Sequence, residues 1–333
     1  MDSIDRRSAW RGEELFRRGW RHEWSEAHRQ EIEAALRASL RRSLDELSPS
    51  TFPLESLADE LRAIEGELEQ GPGAVMIRGL RVDDHSEDDL RRIFQGLMSW
   101  VGTPVSQSAR GEKLLEVKDE RHGAASPSTR GPNTNRSLSF HTDRCDVIAF
   151  LCVRDAHSGG ENDLVSSVAL FEEIERRRPD LLAVLQQPFV YERHNVDTGS
   201  ELPFTRQPVF SIHEGRFAAV LLRVLIDRAD QNPNLPSLSD AQREALDFLE
   251  AVAAEPGMHV RFRLEPGDML LLNNYVILHR RTAFEDHLEV ERQRLLFRLW
   301  LSVPSSRPLD PAYGAYLGAT GPGELRGGMK ARE

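Results

Sequence analysis

Two residues near the middle of the chain, His141 and Asp143, lie two positions apart in a run of apolar, β-prone residues. In a β-strand such residues share one face, so an imidazole nitrogen and a carboxylate oxygen can reach the same point in space. These donors suit a borderline divalent metal, and a second histidine would complete the two-histidine, one-carboxylate set that binds Fe(II) and leaves positions open. An ordinary capping or surface pair is the alternative interpretation.

A second histidine, His279, closes the apolar segment 269–279, shortly after the Pro-Gly-Asp turn at 266–268. A histidine at the end of a buried strand can be a metal ligand, or it can be a core residue whose hydrogen bonds are satisfied by the protein. The sequence alone leaves both interpretations open.

Two arginines occur in the strand-like segment 294–301, at positions 294 and 298. On a strand they would face the same way as Leu296 and Trp300, which is unusual because buried charges are costly unless they are paired. An anionic ligand would satisfy them, since a guanidinium matches a carboxylate with two parallel hydrogen bonds. Acidic residues of the protein itself are the alternative partners.

Other polar residues near these motifs have weaker indications. Arg144, Arg193 and His194 could face a substrate, although exposed polar positions are the ordinary interpretation. Cys145 shares its parity with His141 and is interpreted as a small, buried core residue rather than a ligand.

The elements that must position these residues are predicted to be strands with inserted helices. Three helices have start or stop signals, namely a cap at Ser86, a break before Pro179, and a capping box formed by Ser239 and Gln242. Strands are predicted at 74–77, 114–117, 259–264, 269–272 and 295–301. Because the pattern lacks regular strand–helix–strand alternation, we expect a mixed, mainly antiparallel sheet or jelly roll.

Two further segments complete the organisation of the chain. The first seventy residues are polar with helical spacing of their apolar residues. Residues 103–137 are rich in Gly, Ser, Pro and Arg, which is typical of either an active-site lid or a long surface connection.

The composition excludes several classes of protein. With 333 residues and 39% hydrophobic residues, the chain is long and apolar enough to bury a sizeable core. A net charge of −11, from 43 basic and 54 acidic residues, argues against a broad basic surface for nucleic acid or anionic membranes, although a local basic pocket is possible. Two cysteines cannot form a disulfide framework, and no secretory signal or spanning segment is evident. We therefore expect a cytoplasmic protein with a small-molecule partner.

Four motifs in the same order identify a family resemblance. They are Ser137-Leu138-Ser139-Phe140-His141-Thr142-Asp143-Arg144-Cys145-Asp146, then Gly159-Gly160-Glu161-Asn162, then Pro266-Gly267-Asp268 with Asn273-Asn274 before Leu278-His279, and finally the segment 294–300. Together they closely resemble the taurine dioxygenase/clavaminate synthase-like branch of the Fe(II)/2-oxoglutarate-dependent oxygenases, over roughly residues 70–305.

The resemblance implies a fold and a division of the chain. The expected fold is mainly β with helical insertions (α+β), built on a double-stranded β-helix, or jelly roll, core. Residues 1–70 would be an N-terminal helical extension packed on the core, 71–305 the oxygenase domain, and 306–333 a C-terminal tail. The whole chain would form one structural domain.

The resemblance also implies roles for individual residues. His141, Asp143 and His279 would be the iron ligands. Arg294 would bind the distal carboxylate of 2-oxoglutarate, while Arg298 matches a position that contacts an anionic group of the substrate or supports the co-substrate.

One position departs from the family pattern. After the two glycines the family usually has Thr or Ser, whose hydroxyl helps to hold the same distal carboxylate. Here the matching residue is Asn162, or Asp163 if the register shifts by one. An amide NH₂ can donate a hydrogen bond whereas a carboxylate would repel, so Asn162 is the expected 2-oxoglutarate contact.

The chemistry that follows from the resemblance is an oxidation that uses Fe(II), 2-oxoglutarate and O₂. Decarboxylation to succinate and CO₂ would accompany hydroxylation or desaturation of an unactivated C–H bond in a small, anionic or amino-acid-like molecule. The carboxylate of Asp143 argues against a halogenase, which needs that ligand position for a halide.

Two alternatives remain at this point. A zinc or other metal-dependent hydrolase could use the same ligands, but it would not explain the paired arginines. A catalytically silent binding protein of this fold is the second, and the complete ligand set argues against it.

Overall fold

A computed structural model describes residues 5–120, 133–193, 197 and 202–330 of the chain. The described helices are α1 (Glu26–Ser39), α2 (Ser56–Gln70), α3 (Glu87–Met98), α4 (Ser167–Arg177), α5 (Pro179–Leu185), α6 (Arg223–Gln231), α7 (Asp240–Ala254) and α8 (Gly314–Leu317). The described strands are β1 (Arg21–Glu23), β2 (Ala74–Arg78), β3 (Thr103–Val105), β4 (Leu114–Val117), β5 (Val147–Arg154), β6 (Ser158–Gly159), β7 (Asn162–Ser166), β8 (Phe189–Glu192), β9 (Phe204–Gln207), β10 (Phe210–His213), β11 (Arg216–Ala219), β12 (His259–Phe262), β13 (Met269–Asn273), β14 (Ile277–Arg281), β15 (Phe284–Glu285) and β16 (Leu295–Ser302). The fold is therefore a mixed α/β arrangement with a sheet-rich core.

The main sheet has seven strands in the order β1-β2-β13-β5-β16-β3, and β4 also pairs with β16. Only the pairing of β1 with β2 is parallel, whereas the other pairs are antiparallel. A second sheet contains three antiparallel strands in the order β12-β7-β14. The expected mainly antiparallel pairing is confirmed.

The two faces of the main sheet belong to different cores. Along β16, Leu295, Phe297, Leu299 and Leu301 are buried in one cluster with the apolar faces of α1, α2 and α3. Leu296 and Trp300 point the other way and join the cluster that includes the second sheet. This alternation places position 298, between them, on the face directed at the second sheet.

Helix ends follow the capping signals in the sequence. The side chain of Ser86 accepts a hydrogen bond from the backbone N–H of Asp89 at the start of α3. Ser239 and Gln242 form the reciprocal capping box of α7, and α5 begins at Pro179. These three predictions are confirmed because each depends on contacts within a few residues.

The N-terminal residues contribute more than helices. Besides α1 and α2, they supply β1, which pairs with β2 at the edge of the main sheet. The division of the chain at residues 70 and 305 stays a prediction.

The loop-rich segment 103–137 is only partly described. It contains β3 and β4, which both pair with β16, and β4 matches the predicted strand at 114–117. Residues 121–132, which carry much of the possible lid, lie outside the described part.

None of the described helices combines the length and apolar character needed to cross a lipid bilayer.

Candidate metal centre and cavity

His141 and His279 are brought together by their backbones. The two residues form an isolated antiparallel bridge in which each N–H donates to the carbonyl oxygen of the other at 3.0 Å. Their imidazole rings lie with centroids 4.4 Å apart. Because the bridge uses main-chain atoms alone, the pairing of the two segments does not depend on either ring.

Asp143 is held differently from the expectation that it lies on a strand with His141. The strand β5 begins only at Val147, and the segment before it is irregular. The side chain of Asn274 accepts a hydrogen bond from the backbone N–H of Asp143 at 2.9 Å. The strand prediction for this segment is therefore wrong, yet a single bridge and a side-chain clamp bring the two residues to the same point.

Three donor atoms converge at this point. Oδ2 of Asp143 lies 3.4 Å from Nε2 of His279 and 3.9 Å from Nε2 of His141. Ligand atoms at right angles around an ion about 2.1 Å away would be about 3 Å apart, so a modest closure would bring all three into contact with a metal. Among the described residues, His141, Asp143 and His279 are the three side chains whose potential ligand atoms lie close enough together to hold one metal ion.

Two details show that the site fits a divalent ion. Oδ2 of Asp143 is buried and makes no hydrogen bond within the described part of the chain, which is costly for a carboxylate unless a cation binds it. Nδ1 of His141 contacts the carbonyl oxygen of Ser139 at 2.9 Å, which leaves Nε2 directed at the site. Nδ1 of His279, in contrast, has no hydrogen-bond partner among the described residues.

The electrostatics favour the protonation states that bind a metal. Burial and the neighbouring His279 lower the pKa of His141 to about 4, so its ring is neutral at neutral pH. Burial raises the pKa of the Asp143 carboxyl, but the charge of Arg298 and the two histidines outweigh it and hold that pKa well below its usual range. At neutral pH the site therefore contains the neutral imidazole of His141 and the ionised carboxylate of Asp143.

Arg294 lines the same cavity, and no carboxylate of the described residues forms an ion pair with its guanidinium, although the charges of Asp286 and Asp155 act on it from a greater distance. Its side chain is buried, and its Nη1 makes no hydrogen bond to any described residue. Burial lowers its pKa to about 10, so the side chain remains charged at neutral pH. The interpretation that acidic residues of the protein satisfy this arginine finds no support in the described part of the chain.

Asn162, the first residue of β7, lines the cavity together with Arg294. Its side-chain nitrogen is buried and has no hydrogen-bond partner among the described residues. Asp163 is fully buried and accepts hydrogen bonds from Arg261 at 2.7 and 2.8 Å and from Arg280 at 2.8 Å. The carboxylate of Asp163 therefore already accepts hydrogen bonds from two arginines. The side-chain NH₂ of Asn162, in contrast, is available to donate, which favours Asn162 over Asp163 as the expected 2-oxoglutarate contact.

Arg281 is a residue of this region that the sequence interpretation missed. It is buried, lines the cavity, and its Nη1 has no hydrogen-bond partner among the described residues. Burial and the charge of Arg294 lower its pKa to about 9. The signal was available, because Arg281 follows His279 by two positions on β14 and therefore shares its face.

Arg298 lies next to the candidate metal ligand Asp143. Its Nη1 is 3.6 Å from Oδ1 of Asp143, and its Nε donates to Oε1 of Gln107 at 2.7 Å. The predicted common face of the strand is confirmed, since Arg294, Leu296, Arg298 and Trp300 all line one cavity.

The cavity that contains all these residues has a volume of about 1010 Å³ and is lined by both sheets. Its lining also includes Arg144 and Arg193, whereas His194 lies outside the described residues. Tyr316 of α8 and Met329 reach it from the C-terminal segment, a contribution that no local pattern in the sequence indicated. A site of this size accommodates a co-substrate and a second small molecule.

Asp146 anchors the segment that carries Asp143. It is buried and accepts hydrogen bonds from Tyr275 Oη at 2.8 Å, Arg326 Nε at 2.6 Å and the backbone N–H of Val303 at 2.9 Å. The side chains of Arg326 and Asp146 are 0% and 2% exposed. This buried pair joins the C-terminal segment to the metal-ligand segment.

We predict that Arg326→Met lowers the free energy of unfolding by about 3–5 kcal/mol, because it leaves the buried carboxylate of Asp146 without its cation. Urea unfolding at neutral pH measures the change. The matched control is Arg178→Met, whose guanidinium contacts Asp180 and Glu244 in an exposed setting and should leave the unfolding midpoint nearly unchanged. Similar midpoints for both variants would contradict the prediction.

Comparisons with known proteins agree with this geometry. Residues 40–300 match the family described as "Taurine catabolism dioxygenase TauD, TfdA family". The chain is 28% identical over 290 residues to FR-33289 synthase of Streptomyces rubellomurinus, covering 86% of this chain and 83% of that protein. It is 27% identical over 287 residues to the taurine hydroxylase-like protein SAT17 of Stachybotrys chartarum, covering 83% and 73%.

A solved structure shows the same fold. Asparagine oxygenase in complex with Fe(II), 2S,3S-3-hydroxyasparagine and succinate superposes with a TM-score of 0.68 at 15% identity, over 85% of this chain and 93% of that one. The expectation of a mixed fold with a sheet-rich core is thereby confirmed.

Proposed function

The chain belongs to the taurine catabolism dioxygenase TauD, TfdA family and is a 2-oxoglutarate-dependent non-haem iron dioxygenase, and from this premise we propose that it hydroxylates or desaturates an unactivated C–H bond of a small molecule. The observation that carries the proposal is the convergence of His141, Asp143 and His279 in one cavity with Arg294, whose buried Nη1 has no hydrogen-bond partner among the described residues. A zinc hydrolase that uses the same three ligands would not need a buried arginine with a free hydrogen-bond donor at this position.

In this proposal His141, Asp143 and His279 hold the iron. Two imidazoles and one carboxylate would supply three ligands to Fe(II), a set that is typical of sites with further positions open to a co-substrate. When bound, the iron supplies the oxidising chemistry, with conversion of 2-oxoglutarate to succinate and CO₂. The protein's residues supply binding, orientation and protection of that chemistry from water.

Arg294 and Asn162 hold the far carboxylate of 2-oxoglutarate. Arg294 offers an Nη1 with no hydrogen-bond partner among the described residues, and Asn162 offers an amide NH₂ in the same state. Both side chains line the same cavity, so a carboxylate between them would accept hydrogen bonds from the two nitrogens that have no described partner. Arg281 lies close enough to Arg294 for the charge of Arg294 to lower the pKa of Arg281. It adds a second positive charge to this end of the cavity.

Arg298 serves the anionic groups close to the metal. Its Nε is fixed by Gln107, and its Nη1 faces Asp143, so the guanidinium is held in one orientation at the boundary between the metal ligands and the remaining cavity. We assign to it an anionic group of the substrate. This fits the small, anionic or amino-acid-like substrate that the arginine-rich site favours.

The fold assignment is part of the proposal. The main sheet and the β12-β7-β14 sheet would be the two walls of a double-stranded β-helix, with the site between them. This is supported by the lining of the cavity, to which β5 and β16 contribute from one sheet and β7 and β14 from the other. Helices α1–α3 then cover the outer face of the main sheet.

Anaerobic addition of Fe(II) and 2-oxoglutarate to the purified protein tests the proposal. Chelation of the metal by the 2-oxo acid is expected to produce a weak visible charge-transfer band that saturates at one iron and one 2-oxoglutarate per chain. Replacement of 2-oxoglutarate by succinate, which lacks the keto oxygen, is the matched control and should give no band. If wild-type protein shows no such band, the oxygenase assignment of this site is wrong.

A further inference from the structure

The lining of the cavity carries an excess of positive charge. Among the described residues it includes eight arginines but only four acidic residues. Two of the arginines, Arg281 and Arg294, are accounted for by the co-substrate in the proposed function. The partners of the remaining charged groups therefore decide what kind of substrate the cavity accepts.

Each acidic residue of the lining already faces an arginine. Glu192 accepts from Arg228 at 3.3 Å, and Asp227 accepts from Arg223 at 2.8 Å. Asp197 accepts from two arginines, and Asp143 is one of the three converging metal ligands. A buried ammonium group is costly without a counter-ion, and each described carboxylate of the lining already has an arginine beside it.

Arg144, the residue after Asp143, lines the cavity and shares its carboxylate partner with a second arginine. It shares Asp197 with Arg193, at 2.7 and 2.9 Å, so two guanidiniums face one carboxylate. Its side chain is only 9% exposed, and its buried Nε makes no hydrogen bond to any described residue.

Tyr316 completes this corner. The guanidinium of Arg144 lies 5.0 Å from the centre of the Tyr316 ring, and both side chains line the cavity. Tyr316 is buried, and burial raises the pKa of its hydroxyl, so this hydroxyl is a neutral hydrogen-bond donor at physiological pH. A charged donor and a neutral donor side by side form a site for an anionic oxygen group.

We propose that Arg144 and Tyr316 bind a carboxylate or phosphoryl group of the prime substrate, and that this substrate carries no free ammonium group. The inference rests on the proposed function and narrows its substrate from anionic or amino-acid-like molecules to anions without an ammonium group. Arg193 differs from Arg144 because its nitrogens already donate to Leu202, Asp197 and Ala315.

Two matched pairs of probes test the inference by calorimetry on the full chain loaded anaerobically with Fe(II) and 2-oxoglutarate. Uridine 5′-monophosphate is compared with uridine, and N-acetyl-L-alanine with its uncharged amide, N-acetyl-L-alaninamide. L-Alanine, which carries the same carboxylate together with an ammonium group, should bind less tightly than N-acetyl-L-alanine, and tighter binding of L-alanine would overturn the exclusion of an ammonium group. At least one anion should bind about ten-fold or more tightly than its partner, because a charge-assisted hydrogen bond contributes about that factor. Tighter binding only in the first pair identifies a phosphoryl group, and only in the second pair a carboxylate.

The variant Arg144→Gln should abolish that preference, and Tyr316→Phe, which keeps the ring, should reduce it. Arg193→Gln is the matched control, since it removes the same charge and the same Asp197 contact, and it should retain most of the preference. The inference is overturned if neither anion is preferred in wild type, or if Arg144→Gln keeps the preference. Failure of the proposed function would instead be visible as absence of the charge-transfer band, which Arg144→Gln should leave intact.

Discussion

Replacement of His279 by alanine is expected to lower Fe(II) affinity by more than about a hundred-fold and 2-oxoglutarate-dependent turnover with it. Loss of a residue that merely orients a ligand costs about 10–100-fold, so loss of a ligand itself should cost more. The fold should survive, because the bridge between His279 and His141 is made by backbone atoms at 3.0 Å. Iron content after desalting and the intensity of the charge-transfer band measure the effect.

The matched control is His213→Ala, at the end of β10. This histidine is partly exposed, and its closest carboxylate, that of Glu214, is 3.8 Å away. The His213→Ala variant should bind one iron per chain and show the charge-transfer band at full intensity. Retention of iron and of the band by His279→Ala, with an unfolding midpoint close to wild type, would remove His279 from the metal site.

Replacement of Arg294 by alanine is expected to raise the 2-oxoglutarate concentration needed for half-maximal activity by roughly a hundred-fold. The reason is that truncation of one partner in a buried charged pair costs about 2–5 kcal/mol. Iron binding in the absence of 2-oxoglutarate should be unchanged, because no metal ligand is among the groups that shift the pKa of Arg294. Titration of the band with 2-oxoglutarate measures the shift directly.

Arg298→Ala separates the two arginine roles. It removes an equal charge from the same face of the same strand, but the side chain it truncates contacts Gln107 and Asp143. Its effect on the 2-oxoglutarate requirement should be much smaller, with the loss found instead in substrate binding or turnover. Equal effects of the two variants on the 2-oxoglutarate titration would show that this division of roles is wrong.

Much of the site was predictable because the necessary information is local. The separation of His141 and Asp143 and the alternation of residues 294–300 could be interpreted with the two-residue repeat of a strand. Helix starts at Ser86 and Ser239 were equally local, since a cap is defined within three residues. The choice of His279 as the histidine that joins His141 and Asp143 depended on the family resemblance, because a long-range backbone bridge leaves no trace in local spacing.

The errors and omissions also have physical reasons. The segment around Asp143 was predicted as strand because its residues are β-prone, but Asn274 satisfies its backbone in an irregular conformation. The contribution of Tyr316 and Met329 depends on contacts with residues far away in the chain, which no periodicity encodes. Arg281 could have been recognised, because it stands two residues after His279 on the same strand.

The bond between Arg326 and Asp146 has a consequence for the order of biosynthesis. The two residues are 180 positions apart, and Gly328 also donates its N–H to the carbonyl of Arg144 at 2.7 Å. During translation, the segment with His141 and Asp143 leaves the ribosome well before the residues that fix it in place. The last contacts around the segment with His141 and Asp143 can therefore form only after residues 326–328 have left the ribosome, so a product that terminates before them lacks these contacts.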